Sequence, residues 1–126
     1  MPAKFRKQFS QGAVVTRGLD DSLFFYTKDE WAKIAERIAA LPLSKSSARS
    51  FARLMLAGAM DIEIDKQGRM MLPKYLRQFG GIKKNVVFAG LYSRVEIWDE
   101  NRWRNYQKKM EKNVATIAED LNDLGL

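Results

Sequence analysis

The sequence predicts an α+β fold, in which two copies of a small β-rich motif are joined by a helical connector and followed by a long C-terminal helix. Three observations support this prediction. Matching segments recur in the same order, strand-like segments are short and rich in β-branched residues, and apolar residues elsewhere recur at helical spacing. With 126 residues, the chain is long enough for one compact domain or for two small halves that share a core.

The repeat consists of pairs of segments that match in the same order. Residues 2–6 match 73–77, residues 14–19 match 86–91, residues 23–26 match 95–98, and Trp31 matches Trp103. The second copy also has an upstream segment, residues 59–71, without a counterpart in the first copy, because Met1 stands opposite Leu72. We therefore expect that the first copy lacks an N-terminal strand and turn, because the start codon was misassigned or the chain was trimmed. Alternatively, a neighbouring chain lends the missing strand. Restoring them should raise thermal stability.

The pattern divides the chain into a first repeat (1–31), a helical connector (32–58), a second repeat (59–102) and a C-terminal helix (103–126). In the first repeat, Pro2 suits the first position of a short helix. Residues 13–17 and 22–26 are rich in β-branched and aromatic residues and are expected to be strands. The turn chemistry of residues 18–21 joins them as a hairpin.

The connector is expected to contain two helices. Thr27 and Glu30 form a capping box, which indicates where the first helix begins. Pro42 indicates where it has ended, because the residue before a proline is pushed out of the helical region. Ser44 is expected to cap the second helix, and Gly58 to end it.

The second repeat begins with a hairpin. Residues 61–64 alternate polar and apolar side chains, as a half-buried strand does, and residues 69–72 are expected to pair with them. Residues 65–68 have the composition of a tight turn. The elements of the first copy then recur, as a short helix over residues 74–79 and a hairpin over residues 85–98.

The last helix is expected to run without a break to the C-terminus, with Asp99 as its cap. Its apolar residues recur at spacings of three and four: Trp103, Tyr106, Met110, Val114, Ile117, Leu121 and Leu124. Such a heptad-like stripe is typical of helix packing. It either packs against the connector helices of the same chain or forms a subunit interface, and the sequence leaves both open.

The charge balance favours an anionic partner. Lys and Arg number 22 against 15 Asp and Glu, for a net charge of +7. Nucleic acid is the first candidate and an anionic membrane surface the second, although some soluble proteins are simply basic. No apolar run approaches the length of a membrane span and no secretory signal is visible, so we expect a cytoplasmic protein without a membrane partner.

The composition argues against catalysis. The chain contains no His and no Cys, which removes the commonest metal ligand, the commonest general base and any disulfide. Asp61, Glu63 and Asp65 are weak candidates for catalytic carboxylates, since their spacing places them on one solvent-facing side of a strand and turn. We therefore predict no catalytic residue, no metal site, no cofactor and no small-molecule substrate.

The residues that most resemble a binding site form the turn of the second repeat. Arg69 follows a glycine turn, so its guanidinium should project to grip a phosphate or read a guanine edge. Lys66 would add a point charge. Asp65, Gln67 and Gly68 would support the turn, with Asp65 bonded inside it and orienting Arg69. The alternative is a solvated turn with an internal Asp65–Arg69 pair.

Further basic residues lie on the two short helices, where each taken singly is better explained as part of a solvated face. They are Lys4, Arg6, Lys74 and Arg77. Five aromatic residues could be mistaken for a base-stacking set, but their periodicity predicts that most of them lie in the core or at subunit contacts. They are Phe24, Phe25, Trp31, Trp98 and Trp103.

The order of these motifs resembles a known family. A strand, an Asp-x-x-Gly-Arg turn, a second strand, a Pro-led helix and a hairpin resemble the SpoVT/AbrB-type swapped-hairpin domain. Two such units joined by helices resemble the MraZ family of bacterial regulators. The matching segments are residues 2–6, 14–20, 41–43, 56–59, 65–69 and 95–99.

The resemblance implies a tandem swapped-hairpin β-barrel and a DNA-binding regulator of the division and cell-wall gene cluster, most simply a repressor. It implies double-stranded DNA as partner, a ring-like homo-oligomer and association with the nucleoid. Carried over by position, the DNA-contacting turn is Asp65 to Arg69, with Lys66 beside it. The alternative is a non-enzymatic scaffold or protein-interaction module, whose basic face meets an acidic protein and whose long helix drives assembly.

Overall fold

The computed structural model describes residues 1–125, in which one antiparallel sheet of five strands is surrounded by six α-helices. The strands are β1 (Ala13–Arg17), β2 (Leu23–Thr27), β3 (Met60–Ile62), β4 (Val86–Leu91) and β5 (Arg94–Asp99). The helices are α1 (Ala3–Arg6), α2 (Lys28–Ala39), α3 (Ser46–Ala57), α4 (Lys74–Phe79), α5 (Glu100–Lys112) and α6 (Val114–Asp120), followed by a 3-10 turn at Asn122–Leu124. The predicted α+β class is confirmed.

The two copies of the motif share this sheet. Its strand order is β3-β1-β2-β5-β4, so the hairpin of each copy meets the other where β2 pairs with β5. β3 belongs to the second copy but pairs with β1 of the first, with Ile62 opposite Ala13 and Met60 opposite Val15. The upstream strand of one copy therefore completes the hairpin of the other.

The strand register shifts the alignment of the two copies by one residue. Ala13 lies opposite Thr27 and Val86 lies opposite Asp99, and both Thr27 and Asp99 cap the following helix. Ala13 therefore corresponds to Val86, whereas matching by sequence paired Val14 with Val86. The shift arises because the two turns differ in length: residues 18–22 join β1 to β2, while residues 92–93 alone join β4 to β5.

Each face of the sheet carries its own core. On one face, Phe9 and Phe25 pack with ring centroids 4.5 Å apart, beside Leu76 of α4. On the other, Phe24 and Tyr26 pack beneath Ile38 and Met55 of the connector. The expectation that most of the five aromatic residues lie in the core is confirmed: Phe24, Phe25 and Trp98 are buried, and Trp31 and Trp103 are half-buried.

The helix caps follow the sequence at two places and depart from it at one. The Thr27 hydroxyl accepts a hydrogen bond from the Glu30 backbone N–H at 3.1 Å, and the Asp99 carboxylate accepts one from the Arg102 N–H at 3.3 Å. The expectation that Ser44 caps α3 is wrong. α3 begins at Ser46, after Lys45, and no side-chain hydrogen bond caps it.

The hairpin expected around residues 65–68 forms as a turn without paired arms. β3 ends at Ile62 and takes its partner from the first copy, so residues 69–72 have no strand to pair with. Among residues 1–125, no backbone hydrogen bond involves Met70, Met71 or Leu72. The turn itself is closed by the Asp65 N–H, which donates to the Arg69 carbonyl oxygen at 2.9 Å.

The long C-terminal helix is also interrupted. The Asn113 backbone leaves the helical region, with φ −115° and ψ 17°, while its side-chain amide donates to the Lys109 carbonyl at 2.9 Å. Before the break, the apolar stripe packs on the sheet through Trp103 and Tyr106, whose rings contact Trp98. Its packing partner is thus the second hairpin and not the connector helices. After the break, the stripe is exposed at Val114, Ile117, Leu121 and Leu124. Residue 126 lies outside the described residues.

Candidate nucleic-acid interface

The turn at residues 65–69, here called the tip turn, is organised by one carboxylate. Asp65 Oδ1 accepts hydrogen bonds from the backbone N–H groups of Gln67, at 2.9 Å, and Arg69, at 2.8 Å. Asp65 Oδ2 accepts a third from Arg69 Nε at 2.9 Å. Gly68 has φ +78°, in the left-handed region that favours glycine, and its N–H donates to the Asp65 carbonyl. Both carboxylate oxygens are therefore used inside the turn.

These hydrogen bonds stabilise the charged form of Asp65. The bond from the Arg69 N–H is the largest cause of a lowered pKa of the Asp65 carboxyl, followed by the bond from the Arg69 side chain. The carboxylate is exposed, so the lowered pKa reflects donated hydrogen bonds and not burial. The turn keeps this geometry at neutral pH, where Asp65 is fully ionised.

Arg69 is held at its Nε atom, while the rest of its guanidinium faces solvent. Asp65 binds Nε, and 75% of the Arg69 side chain is exposed. Among residues 1–125, no hydrogen bond uses the two terminal nitrogens of this guanidinium. An exposed ion pair of this kind adds little to stability, because solvent screens the attraction between its charges. The pair therefore orients Arg69 more than it stabilises the fold, and it leaves a donor fork available to an anion.

The N-terminal residues of the first copy contact the tip turn. The Met1 backbone nitrogen donates to the Gly68 carbonyl oxygen at 2.7 Å, and Arg6 Nε donates to the Met1 carbonyl at 3.4 Å. A Cβ at Gly68 would collide with the Arg6 guanidinium, so Arg6 would have to move, and the positive φ of Gly68 disfavours any other residue there. The structure thus brings Arg6, of the first copy, beside the turn of the second.

The other basic candidates from the sequence lie at varying distances from the tip turn. Arg77 lines the same groove as Arg69, so the two cations share one surface. Lys74 lines a separate shallow depression with Arg77, without Arg69. Lys4 is exposed on α1 and its Nζ lies 5.0 Å from the ring centroid of Phe5. Lys66 is exposed within the tip turn, and no ion pair involves it among the described residues.

The sequence analysis missed one basic residue of this surface. Lys84 lines the groove that contains Arg69 and Arg77, although it stands in the loop before β4. Its only sequence signal is the excess of basic residues between positions 65 and 84, where Asp65 is the single acidic residue. A charge count shows this excess but cannot show which basic residues share a surface.

A second charged pair, Arg94 and Glu96, lies away from the tip turn, on the sheet. Glu96 accepts hydrogen bonds from Trp98 Nε1 at 3.0 Å and from an Arg94 terminal nitrogen at 3.3 Å. The Arg94 guanidinium lies 4.7 Å from the ring centroid of Phe24. Burial raises the pKa of nearby Tyr26, which stays neutral. These contacts tie β2 to β5 and explain how a carboxylate is buried there.

Within residues 1–125, no group of three or more acidic side chains is placed to hold a metal ion. No helix in this part of the chain has both the length and the apolar character needed to cross a bilayer.

Comparison with known proteins gives a consistent match over the whole chain. The family model described as "MraZ protein, putative antitoxin-like" matches it twice, over residues 1–54 and 55–124. A protein of Natranaerobius thermophilus named transcriptional regulator MraZ is 46% identical over 126 residues, which is all of this chain and 88% of the relative. Proteins of the same name from Caldanaerobacter subterraneus subsp. tengcongensis and Thermoanaerobacter sp. are each 44% identical over the same lengths.

Proposed function

The chain belongs to the MraZ family, and we propose that it is a transcriptional regulator that binds double-stranded DNA through its tip turn. The relatives are named as regulators of transcription, and this function suits a chain with a net charge of +7. A non-catalytic role is part of the proposal, because the polar groups of the tip turn are arranged to bind and not to transfer protons.

The observation that carries the proposal is the half-bound state of Arg69. Asp65 fixes Nε, while the rest of an exposed guanidinium extends from the turn. A guanidinium held in this way offers two parallel N–H donors, which match a phosphate or the O6 and N7 atoms of guanine. Because Asp65 pre-orients the side chain, less rotamer entropy is lost on binding.

Lys66 and Arg6 would add contacts of a second kind. Lys66 is exposed in the turn, and Arg6 lies against Gly68. Both cations suit contacts with the phosphate backbone of DNA. Such contacts fix the position of the protein and raise its affinity, but they do not read the base sequence. Lys4, Lys74 and Arg77 are more distant phosphate candidates in the same proposal.

The proposed architecture is the tandem swapped-hairpin fold of the family. The pairing of β3 with β1 supports it, because a strand from one copy completes the hairpin of the other. A ring-like homo-oligomer is the proposed assembly, supported by the exposed apolar stripe of α6. Several tip turns acting together would bind DNA more tightly than one.

The proposed regulatory role is repression of the division and cell-wall gene cluster by occupation of its promoter. Such a role would place the protein in the cytoplasm at the nucleoid. A scaffold that meets an acidic protein is the competing function, favoured by the same exposed stripe on α6.

The test replaces Arg69 with alanine and measures binding to duplex DNA selected from a random library, by mobility shift at several salt concentrations. A guanine contact predicts a loss of about 1–3 kcal/mol and relaxed sequence preference, whereas Lys66→Ala should lower the salt slope by about 1. Arg37→Ala is the matched control, since Arg37 is exposed on α2 and carries the same charge. Equal affinities for Arg69→Ala and the control would contradict the assignment, and salt-independent binding would exclude phosphate contact.

A further inference from the structure

α6, beyond the break at Asn113, is a short helix that is exposed along its whole length. All of its residues are exposed, although Val114, Ile117 and Leu121 form an apolar stripe along it. Isolated helices shorter than about 12–15 residues are marginal in water, and α6 has seven. A partner that covers the stripe would therefore stabilise α6.

The charge of this segment indicates what the partner should carry. Residues 113–126 contain acidic residues and no basic residue. At about 3.6 residues per turn, Asp120 lies beside the line of Ile117 and Leu121, whereas Glu119 lies on the far side of the helix. α6 thus presents an apolar stripe with a carboxylate on its flank. A complementary surface would be apolar with a basic flank.

The connector has such a surface. Residues 44–58 contain basic residues and no acidic residue. In the loop before α3, the Leu43 side chain is 78% exposed. A terminal nitrogen of Arg49 donates to the Leu43 carbonyl oxygen at 2.8 Å, so this exposed leucine is held against the start of α3.

The outer face of α3 continues this surface. The inner face of α3 packs on Phe24 and Tyr26 of the sheet. On the outer face, Ser50 and Ala57 are exposed, Leu54 is half-buried and Arg53 is exposed. Small side chains between two helices allow their axes to approach closely. A second helix can therefore lie along α3 with its apolar stripe on Leu54 and its acidic flank at Arg53.

The geometry of the chain excludes its own α6 as that second helix. The connector covers β1 and β2, whereas α5 packs on Trp98 of the second hairpin. Asn113 alone separates α5 from α6, and a helix that turns back on its predecessor needs a connection of at least about two residues. The α6 that meets a connector must therefore come from another copy.

We propose that α6 of one copy docks on the connector of the next. Ile117 and Leu121 contact Leu43 and Leu54, and Asp120 pairs with Arg53. Because the two surfaces differ, each copy gives one and receives one, and such a head-to-tail contact closes a ring or grows a filament. The inference rests on the proposed ring-like assembly and specifies its contact, but it needs neither DNA nor the tip turn.

The first experiment measures the mass of the chain without DNA by analytical ultracentrifugation. The unaltered chain should form an oligomer, whereas Leu121→Glu and Leu43→Glu should each be monomeric. Mixed in equal amounts, the two variants should form a dimer, because one intact α6 still meets one intact connector. Leu19→Glu is the control, since Leu19 is exposed on the turn between β1 and β2. A monomeric unaltered chain, an assembled Leu43→Glu variant, or a mixture without dimers would overturn the proposal.

The second experiment exchanges the proposed ion pair, which leaves the apolar contacts intact. Asp120→Arg and Arg53→Asp should each weaken association about fivefold, the scale of one exposed ion pair, and the variant with both changes should recover it. Lys108→Asp is the control, because Lys108 is exposed on α5 and the change in charge is the same as for Arg53→Asp. A double variant no better than either single one would contradict the pairing.

The Arg69→Ala variant separates this inference from the proposed function. It should assemble as the unaltered chain does, because the tip turn takes no part in the contact. Loss of assembly in Arg69→Ala would place the contact at the tip turn and overturn the inference. Normal assembly without DNA binding by the unaltered chain would instead contradict the proposed function alone.

Discussion

The outer strands of the two hairpins have corresponding positions in different surroundings. Ala13 and Val14 of β1 are buried, whereas Val86 and Val87 of β4, which correspond to them by register, are half-buried. β1 lies between β2 and β3, while among residues 1–125 β4 has β5 alone as a neighbour. The burial of these corresponding positions therefore follows what lies beside the strand, since all of them are apolar.

The difference divides the sheet into a closed half, β3-β1-β2, and an open half, β5-β4. In the closed half, the outer strand of the hairpin, β1, is paired along both of its edges, with β2 and with β3. The open half has the candidate DNA-binding residues at its margin, since Arg69 of the tip turn lines one groove with Val86 and Phe88 of β4. Rigid structure and accessible binding groups are thus separated within one sheet, as expected if binding elements are drawn from less stable regions.

The largest expected effect comes from removing one phenylalanine from each half. Phe25 is 0% exposed in β2 and contacts Phe9, so Phe25→Ala should destabilise the protein by about 3–5 kcal/mol. Phe88 of β4 is half-buried, so Phe88→Ala should cost less, about 1–2 kcal/mol in proportion to the area it buries. Urea unfolding measures both. Equal losses would abolish the distinction between a closed and an open half.

The helix caps that follow the two hairpins test the comparison on a smaller scale. Thr27 accepts one backbone hydrogen bond, from Glu30. Asp99 accepts two, from Lys83 and Arg102, and so also holds the loop before β4. Both alanine variants should lose about 0.5–2 kcal/mol, with Asp99→Ala the larger. Thermal unfolding decides between them, and a larger loss for Thr27→Ala would show that the Lys83 contact contributes nothing.

The smallest effect is expected from acid, and it should be confined to the open half. Because the folded pKa of Asp65 is below its ordinary value, its contribution is complete above about pH 4. It is lost as pH falls through the lowered folded pKa. The protection factors of the Gln67, Gly68 and Arg69 amides should then fall, with no change in the protection factors of β1. Asp65→Asn should show the lower protection factors at neutral pH, and a tip turn indifferent to both changes would contradict the role given to the carboxylate.

Local signals in the sequence predicted local structure well. The Thr27 capping box, the bounds of β1 and those of α4 follow from side chains only a few residues apart. The Asp65–Arg69 turn belongs to the same class, because its hydrogen bonds span four residues or fewer. A turn of this kind can be read from Asp and Gly at fixed positions.

Contacts between distant residues could not be read in this way. Nothing near Met60 indicates that β3 pairs with β1, so residues 69–72 were wrongly given a partner strand. The one-residue shift between the copies arises because their turns differ in length. Sequence matching placed the single gap before the first strand of the hairpin instead of in the turn. Arg6 and Lys84 escaped selection as close neighbours of Arg69 for the same reason, since only the folded chain places them there.

The crossing of β3 onto β1 also orders events during synthesis. When residues 13–27 leave the ribosome, the strand that will flank β1 has not yet been made, because it lies beyond both connector helices. The nascent first hairpin therefore exposes an apolar edge until residues 60–62 emerge, an interval in which such edges are prone to mispair. The connector helices are synthesised during this interval and can form locally, before the strand that pairs with β1 emerges. The length of the connector thus sets how long the growing chain is vulnerable to aggregation.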